Sequence, residues 1–272
     1  MRTVFELHRV SYAYHGRIPA LVDVDLTIAA GEALVVLGPN GSGKSTLLKI
    51  LDGLYRPSSG QIFAFGRDIT SAADDPELGY WLHQRVGLVF QEPDVQLFSP
   101  TVFDDVAFGP LQLGWSPDRV RDAVQHVLAE LALEHLADRA PFELSGGEKK
   151  RVALATVLVM EPEVILLDEP TANLDPRSRA QLIELLAALH ARGHTLVIAT
   201  HELDLAAALG TRLIVFGERE HRPIAEGSPA QVLADHELLL TANLIHEHLH
   251  WHGSLQHSHP HWHDPEHQHD HD

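Results

Sequence analysis

Short runs of consecutive apolar residues recur along the first 226 positions, at 33–37 (ALVVL), 86–90, 164–167, 195–199 and 213–216. Runs of this length, rich in Val, Ile and Leu, read as strands. Between them, residues 119–133 and 177–190 space their apolar positions with the helical period. Strands alternating with helices predict a parallel sheet covered by helices. The pattern then changes. Ser228-Pro229 reads as a helix start, and 230–245 as one or two short terminal helices. Residues 246–272, HEHLHWHGSLQHSHPHWHDPEHQHDHD, hold 11 of the 21 histidines and no lysine or arginine. With so few aliphatic side chains this segment cannot bury a core, and a disordered tail is expected.

Composition narrows the class. At 272 residues the chain is long enough for one large α/β domain, or for a core domain with an appendage. Its longest clean apolar runs, 152–160 and 164–167, fall well short of the roughly 20 residues a membrane span needs. Glu6 and Arg9 interrupt the first ten residues, so no secretory signal is read and a cytoplasmic location is expected. The chain has no cysteine, which excludes disulfides and thiolate metal sites. A formal charge of −18, with Lys44, Lys49, Lys149 and Lys150 as the only lysines, argues against a nucleic-acid partner, whose phosphates require a basic surface.

One segment carries recognisable chemistry by itself. Gly38-Pro39-Asn40-Gly41-Ser42-Gly43-Lys44-Ser45-Thr46 follows the strand at 33–37 and precedes a helical stretch at 46–54. The glycines let several backbone N–H groups converge on one anion at a helix N-terminus, the arrangement that holds β- and γ-phosphates. Lys44 would neutralise them, and the Ser45 hydroxyl would be a Mg²⁺ ligand. An apolar strand ending in carboxylates should complete such a site, and Val164-Ile-Leu-Leu-Asp168-Glu169-Pro170 supplies it. Asp168 would hold Mg²⁺ through water, and Glu169 would polarise the water that attacks the γ-phosphate.

Further residues make the chain resemble one P-loop family, the ABC transporter ATPases. Leu144-Ser145-Gly146-Gly147-Glu148 is similar to that family's signature, with Glu148 where glutamine is usual, and it precedes Asp168 by 20 residues. The resemblance implies that Ser145, Gly146 and Gly147 of one subunit close over ATP held by the phosphate loop of another. It also implies that Tyr14, rather than its neighbour Tyr12, stacks on adenine. Gln91 would reach the Mg²⁺ and the attacking water, and His201 would hydrogen-bond the γ-phosphate. Asn173-Leu174-Asp175 would form the loop that crosses the dimer interface. The implied fold is α/β: a P-loop NTPase with a RecA-like core, an amino-terminal antiparallel β-subdomain and an inserted helical subdomain. The nucleotide-binding domain would span 1–227, with the helical subdomain at about 92–160, an extension at 228–245 and the tail at 246–272.

A narrower likeness follows Gln91. VGLVFQEPDVQLFSPTVFDDVAFG at 86–109 resembles the energy-coupling-factor importers, and LSGGEKKRVA at 144–153 resembles their cobalt and nickel members. That likeness implies a homodimer, or a heterodimer with a paralogous ATPase, at the cytoplasmic face of the membrane. The partners would be a transmembrane coupling subunit and a membrane metal-capture subunit, with Phe98, Phe103 and Phe108 as candidates to line the docking groove. Vitamin uptake by the same machinery, a soluble ABC ATPase and a metal-buffering protein are the alternatives. Neutral imidazole ligates Ni²⁺ and Co²⁺, so the tail's His246, His248, His250, His252, His257, His259, His261, His263, His267, His269 and His271 are candidate ligands for such an ion.

Overall fold

The computed structural model describes residues 2–252 and 255–261, with 246–252 and 255–261 as backbone alone. Two long strands open the chain, β1 (Thr3–Tyr14) and β2 (Ile18–Ala29). They pair antiparallel, with register shifts that include one between Leu7 and Val10. With β4 (Ser59–Ala64) and the two-residue β5 (Arg67–Asp68) they form a sheet in the order β2-β1-β4-β5. The central sheet has six strands in the order β10-β9-β3-β8-β7-β6. These are β3 (Ala33–Leu37), β6 (Val86–Val89), β7 (Val164–Asp168), β8 (Thr195–Thr200), β9 (Arg212–Phe216) and β10 (Pro223–Gly227). Five run parallel, and only β10 pairs antiparallel, at the edge beside β9.

The period of two along a strand explains why these runs are apolar throughout. Val35 and Leu37 enter one core with Ile165, Leu167, Leu196, Ile198, Leu213 and Val215. Their neighbours Leu34 and Val36 enter a second core, with Val164, Leu166, Val197, Ala199, Ile214 and Phe216. A strand covered on both faces has no polar side to show. The second core is closed by the amino-terminal sheet, through Phe5, Leu7 and Ile28, and by helix α1 (Lys44–Leu51) with α2 (Pro76–His83). The first is closed by α6 (Pro176–Ala191) and α7 (Leu203–Leu209), and by helices inserted between β6 and β7.

That insertion holds α3 (Val102–Gln112), α4 (Pro117–Glu130) and α5 (Gly146–Leu158). Its starts are written in the sequence. Thr101 caps α3, Ser116 caps α4 ahead of Pro117, and Ser145 caps α5. α4 buries Val120, Val124, Val127 and Leu128, the i, i+4, i+7, i+8 stripe of an amphipathic helix. Two short helices, α8 (Pro229–Ala234) and α9 (His236–Thr241), follow β10. No helix among the described residues is long and apolar enough to cross a membrane.

In the tail segment the backbone of β11 (His246–His252) pairs antiparallel with β12 (Leu255–His261), and neither joins the other two sheets. Alternation of histidine with other residues gives this stretch the strand period of two. The register pairs His246 with His261, His248 with His259 and His250 with His257. His263, His267, His269 and His271 lie outside the described residues.

Candidate functional site

Four adjacent strands, β3, β8, β7 and β6, end side by side, and each delivers a residue singled out from the sequence. β3 leads into the phosphate loop, β8 into His201, β7 into Asp168 and Glu169, and β6 into Gln91. Registers Leu37↔Thr200, Asp168↔Ala199 and Val89↔Leu167 bring those ends level. The carboxyl edge of a parallel sheet is where α/β folds bind ligands. Here a cavity of about 440 Å³ opens, bordered by Tyr14, Lys44, Ser45, Gln91, Glu169 and His221 among others.

The loop itself is shaped for an anion. Gly43 has φ +107°, and a Cβ there would lie 2.2 Å from the Ala20 carbonyl oxygen, so only glycine fits. At Gly38 a Cβ would lie 2.7 Å from Ser42 Oγ. Ser42 Oγ is buried without a hydrogen-bond partner among the described residues. A buried hydroxyl left unpaired costs about 1–3 kcal/mol, and a phosphate oxygen would satisfy it. Lys44 Nζ donates to the carbonyls of Gly38 at 2.7 Å and Pro39 at 3.0 Å, which fixes the ammonium under the loop. Pro39, Asn40, Gly41 and Thr46 complete the curl, with Gly41 at φ +86°.

Ser45 Oγ donates to Asp168 Oδ1 at 2.9 Å, so the two groups expected to serve Mg²⁺ are already neighbours. Burial raises the pKa of Asp168, against the lowering effect of the Ser45 hydroxyl. A divalent cation at this oxygen pair would remove that penalty. Hydroxyl and carboxylate oxygens are the donors a hard cation takes, so the residues fit Mg²⁺.

Glu169 is the most constrained group here. It is buried, and its φ of +43° lies in the left-handed region that non-glycine residues rarely occupy. Its Oε1 lies 3.0 Å from His201 Nδ1 and 3.6 Å from Lys44 Nζ, while Oε2 accepts from Thr200 Oγ1 at 3.1 Å. Burial alone would raise its pKa. The His201 hydrogen bond and charge, with Lys44 and Thr200, carry it below its ordinary value instead. The same hydrogen bond raises His201, against its partial burial. Burial lowers Lys44, opposed by Glu169 and Asp168. An ionised carboxylate beside a cationic phosphate loop has the charge and position of a general base.

Tyr14 borders the cavity, with its hydroxyl 3.0 Å from Thr46 Oγ1. Tyr12 instead stacks on Tyr55 at 5.1 Å and packs on the core. Ser145, Gly146 and Gly147 do not border this cavity; they begin α5 elsewhere on the surface. Ser145 Oγ donates to Glu148 Oε2 at 2.7 Å and its N–H does so at 2.8 Å, which holds the Glu148 carboxyl below its ordinary pKa. The three phenylalanines separate. Phe98 and Phe108 are exposed and meet edge to face at 5.0 Å, whereas Phe103 packs against the core. Asn173 sits at φ +62° in the turn before Asp175, which caps α6. Two residues escaped the sequence reading. His221, from the β9–β10 turn, borders the cavity, and its buried Nδ1 has no hydrogen-bond partner among the described residues. Lys150 reaches the site from α5. No local motif marks His221, and Lys150 lies within the 144–153 segment without any sign there of what its side chain reaches.

Comparison with known proteins gives the family. The ABC transporter family pattern matches residues 21–172. The nickel import ATP-binding protein NikO of Rhodobacter capsulatus is 48% identical over 90% of this chain and 97% of its own length. The cobalt import ATP-binding protein CbiO of the same organism is 47% identical over 90% of this chain and 85% of its own. The structure of cbiO1 from Clostridium perfringens, part of the ABC transporter complex cbiONQ, superposes with a TM-score of 0.77 at 38% identity, covering 90% of this chain and 96% of that one. On this family match, these identities and the shared fold, the chain belongs to the ABC transporter ATP-binding subunits, which bind ATP with Mg²⁺ and hydrolyse it.

Proposed function

We propose that this chain is the ATP-hydrolysing subunit of an energy-coupling-factor-type importer for a divalent transition metal, nickel or cobalt. The observation that carries the ATPase half is the Glu169 carboxylate, ionised and held between His201 and Lys44 beside the phosphate loop. The cargo rests on near-half identity to NikO and CbiO over nine-tenths of the chain.

The residues divide the work of ATP plus water going to ADP plus phosphate. Tyr14 supports the adenine ring, and the backbone of residues 38–46 with Lys44 holds the phosphates. Glu169 takes the proton of the attacking water, and His201 fixes the carboxylate and neutralises it in part. Gln91 borders the same cavity and orients that water. Ser45 and Asp168 would hold Mg²⁺, which when bound screens the phosphate charge.

Ser145, Gly146 and Gly147 cannot serve the nucleotide of their own chain from where they sit, so they close over the ATP of a second subunit. Gly146 supports this reading. A Cβ there would meet nothing within 4 Å, so its thinness serves something outside this chain, whereas at Gly147 a Cβ would lie 2.7 Å from Ser178 Oγ. Phe98 and Phe108 form an exposed aromatic pair that would suit a transmembrane subunit, which supports reading the ATPase as a peripheral protein of the cytoplasmic face. The histidine tail would bind the transported class of ion as a store or sensor.

The test is uptake of labelled Ni²⁺ and Co²⁺ by cells expressing this chain with its membrane partners. Accumulation should require the wild-type chain and vanish with Glu169→Gln. Uptake of neither ion, with a vitamin taken up instead, would reassign the cargo and leave the ATPase intact.

A further inference from the structure

Lys150 lies four residues beyond the start of α5 and is 5% exposed. Its Nζ donates to two backbone carbonyls, that of Gln91 at 2.5 Å and that of Glu169 at 3.2 Å. Among the described residues no carboxylate lies within 4.0 Å to neutralise it, although Asp168 and Glu169 are near enough to favour its charge against a burial that lowers its pKa. A buried ammonium is costly to keep, and an aliphatic side chain would fill the same space without that cost. Two charge-assisted hydrogen bonds to main chain are what a cationic side chain adds there over an aliphatic one.

The two carbonyls belong to the site. Gln91 follows β6 and Glu169 follows β7, strands that pair in parallel. Glu169 sits at φ +43°, a conformation that persists only where surrounding contacts over-determine it. Its N–H is held by the Ala199 carbonyl at 2.9 Å, its carboxylate by His201 and Thr200, and its carbonyl by Lys150. The third tether comes from the helix whose first turn carries Ser145.

We propose that Lys150 is a positioning residue, which ties the first turns of α5 to the backbone of Gln91 and Glu169 so that the catalytic carboxylate is held in register with the helix that meets the second subunit. Hydrogen-bonded contact from α5 thereby reaches the base through one side chain. The proposal rests on the reading of Glu169 as general base.

The experiment compares Lys150→Met, Lys150→Arg, Glu169→Gln and the Lys150→Met/Glu169→Gln double variant in the full chain. It measures kcat and KM for ATP, the Kd of a fluorescent ATP analogue, and Tm. Misplacing a catalytic group by about an ångström costs on the order of a hundredfold. Lys150→Met should therefore lower kcat by about 10- to 100-fold, with KM and analogue Kd within about twofold of wild type. Lys150→Arg, which keeps the donors, should recover most of the rate. In the Glu169→Gln background the methionine should cost little more, because it acts through the residue already removed. A kcat for Lys150→Met within twofold of wild type would overturn the proposal. So would an equal fall in both backgrounds, or a joint loss of Tm and nucleotide binding that arginine does not repair. If Glu169→Gln itself kept the wild-type rate, the base assignment would fail instead, and the two failures are told apart by that single variant.

Discussion

The His201 imidazole and the Glu169 carboxylate meet at 3.0 Å across the ends of two neighbouring strands, β8 and β7. The contact depresses the carboxyl and raises the imidazole, so the pair carries opposite charges over a wider pH range than either group would alone. Its consequence is an ionised carboxylate beside Lys44.

If Glu169 is that base, Glu169→Gln should leave ATP binding intact and slow hydrolysis by roughly 10²–10⁴-fold. The variant should accumulate as an ATP-bound dimer, visible by size-exclusion chromatography with ATP. Hydrolysis within twofold of wild type would place the role elsewhere.

The His201–Glu169 pair should also appear in stability against pH. The folded pKa of His201 is raised, so its contribution is complete below the ordinary histidine value of 6.5 and is lost as pH rises through the raised value. That of Glu169 is lowered, so its contribution is present above the ordinary value of 4.5 and is lost as pH falls through the depressed value. The melting difference between wild type and His201→Ala should be greatest between those limits and shrink toward alkaline pH. A difference that grows with pH would contradict the pairing.

A composite site across subunits makes two expectations about variants that fold. Gly146→Ala should keep the wild-type Tm, since its Cβ meets nothing in this chain, and yet lose ATPase activity. Mixing inactive Lys44→Ala with inactive Ser145→Arg protein should restore some hydrolysis, because one site of the mixed dimer is intact. No recovery in a mixture shown to form heterodimers would refute the arrangement.

For the tail, truncation after Ile245 should remove Ni²⁺ sites counted by calorimetry and leave the ATPase rate unchanged. Binding to the full chain should weaken as pH falls through about 6.5, since only neutral imidazole ligates. A truncated chain that keeps every Ni²⁺ site would leave the tail a solvating segment.

Lines of chemistry confined to a few consecutive residues were legible from the start. The phosphate loop at 38–46, the strand ending in Asp168-Glu169 and the signature at 144–148 each carry their own spacing, and uniformly apolar runs such as 33–37 announce strands covered on both faces. The amino-terminal strands were harder. β1 and β2 mix polar residues among the apolar ones and shift register repeatedly, which blurs the period of two. Phe98, Phe103 and Phe108 look alike in the sequence, and only packing separates the half-buried Phe103 from the exposed pair.

The sequence alone thus marked the residues proposed to handle phosphate, metal and water, because a loop that curls round an anion needs its glycines, lysine and hydroxyl within one stretch of chain. Tertiary structure decided how those residues meet. β8 lies between β3 and β7, so His201 falls beside Glu169, although 32 residues separate them. Lys150 crosses from α5 to the main chain of Gln91 and Glu169, 59 and 19 residues away. No local pattern encodes such contacts. They follow from strand order and from the burial of one helix, which form only when the whole core packs.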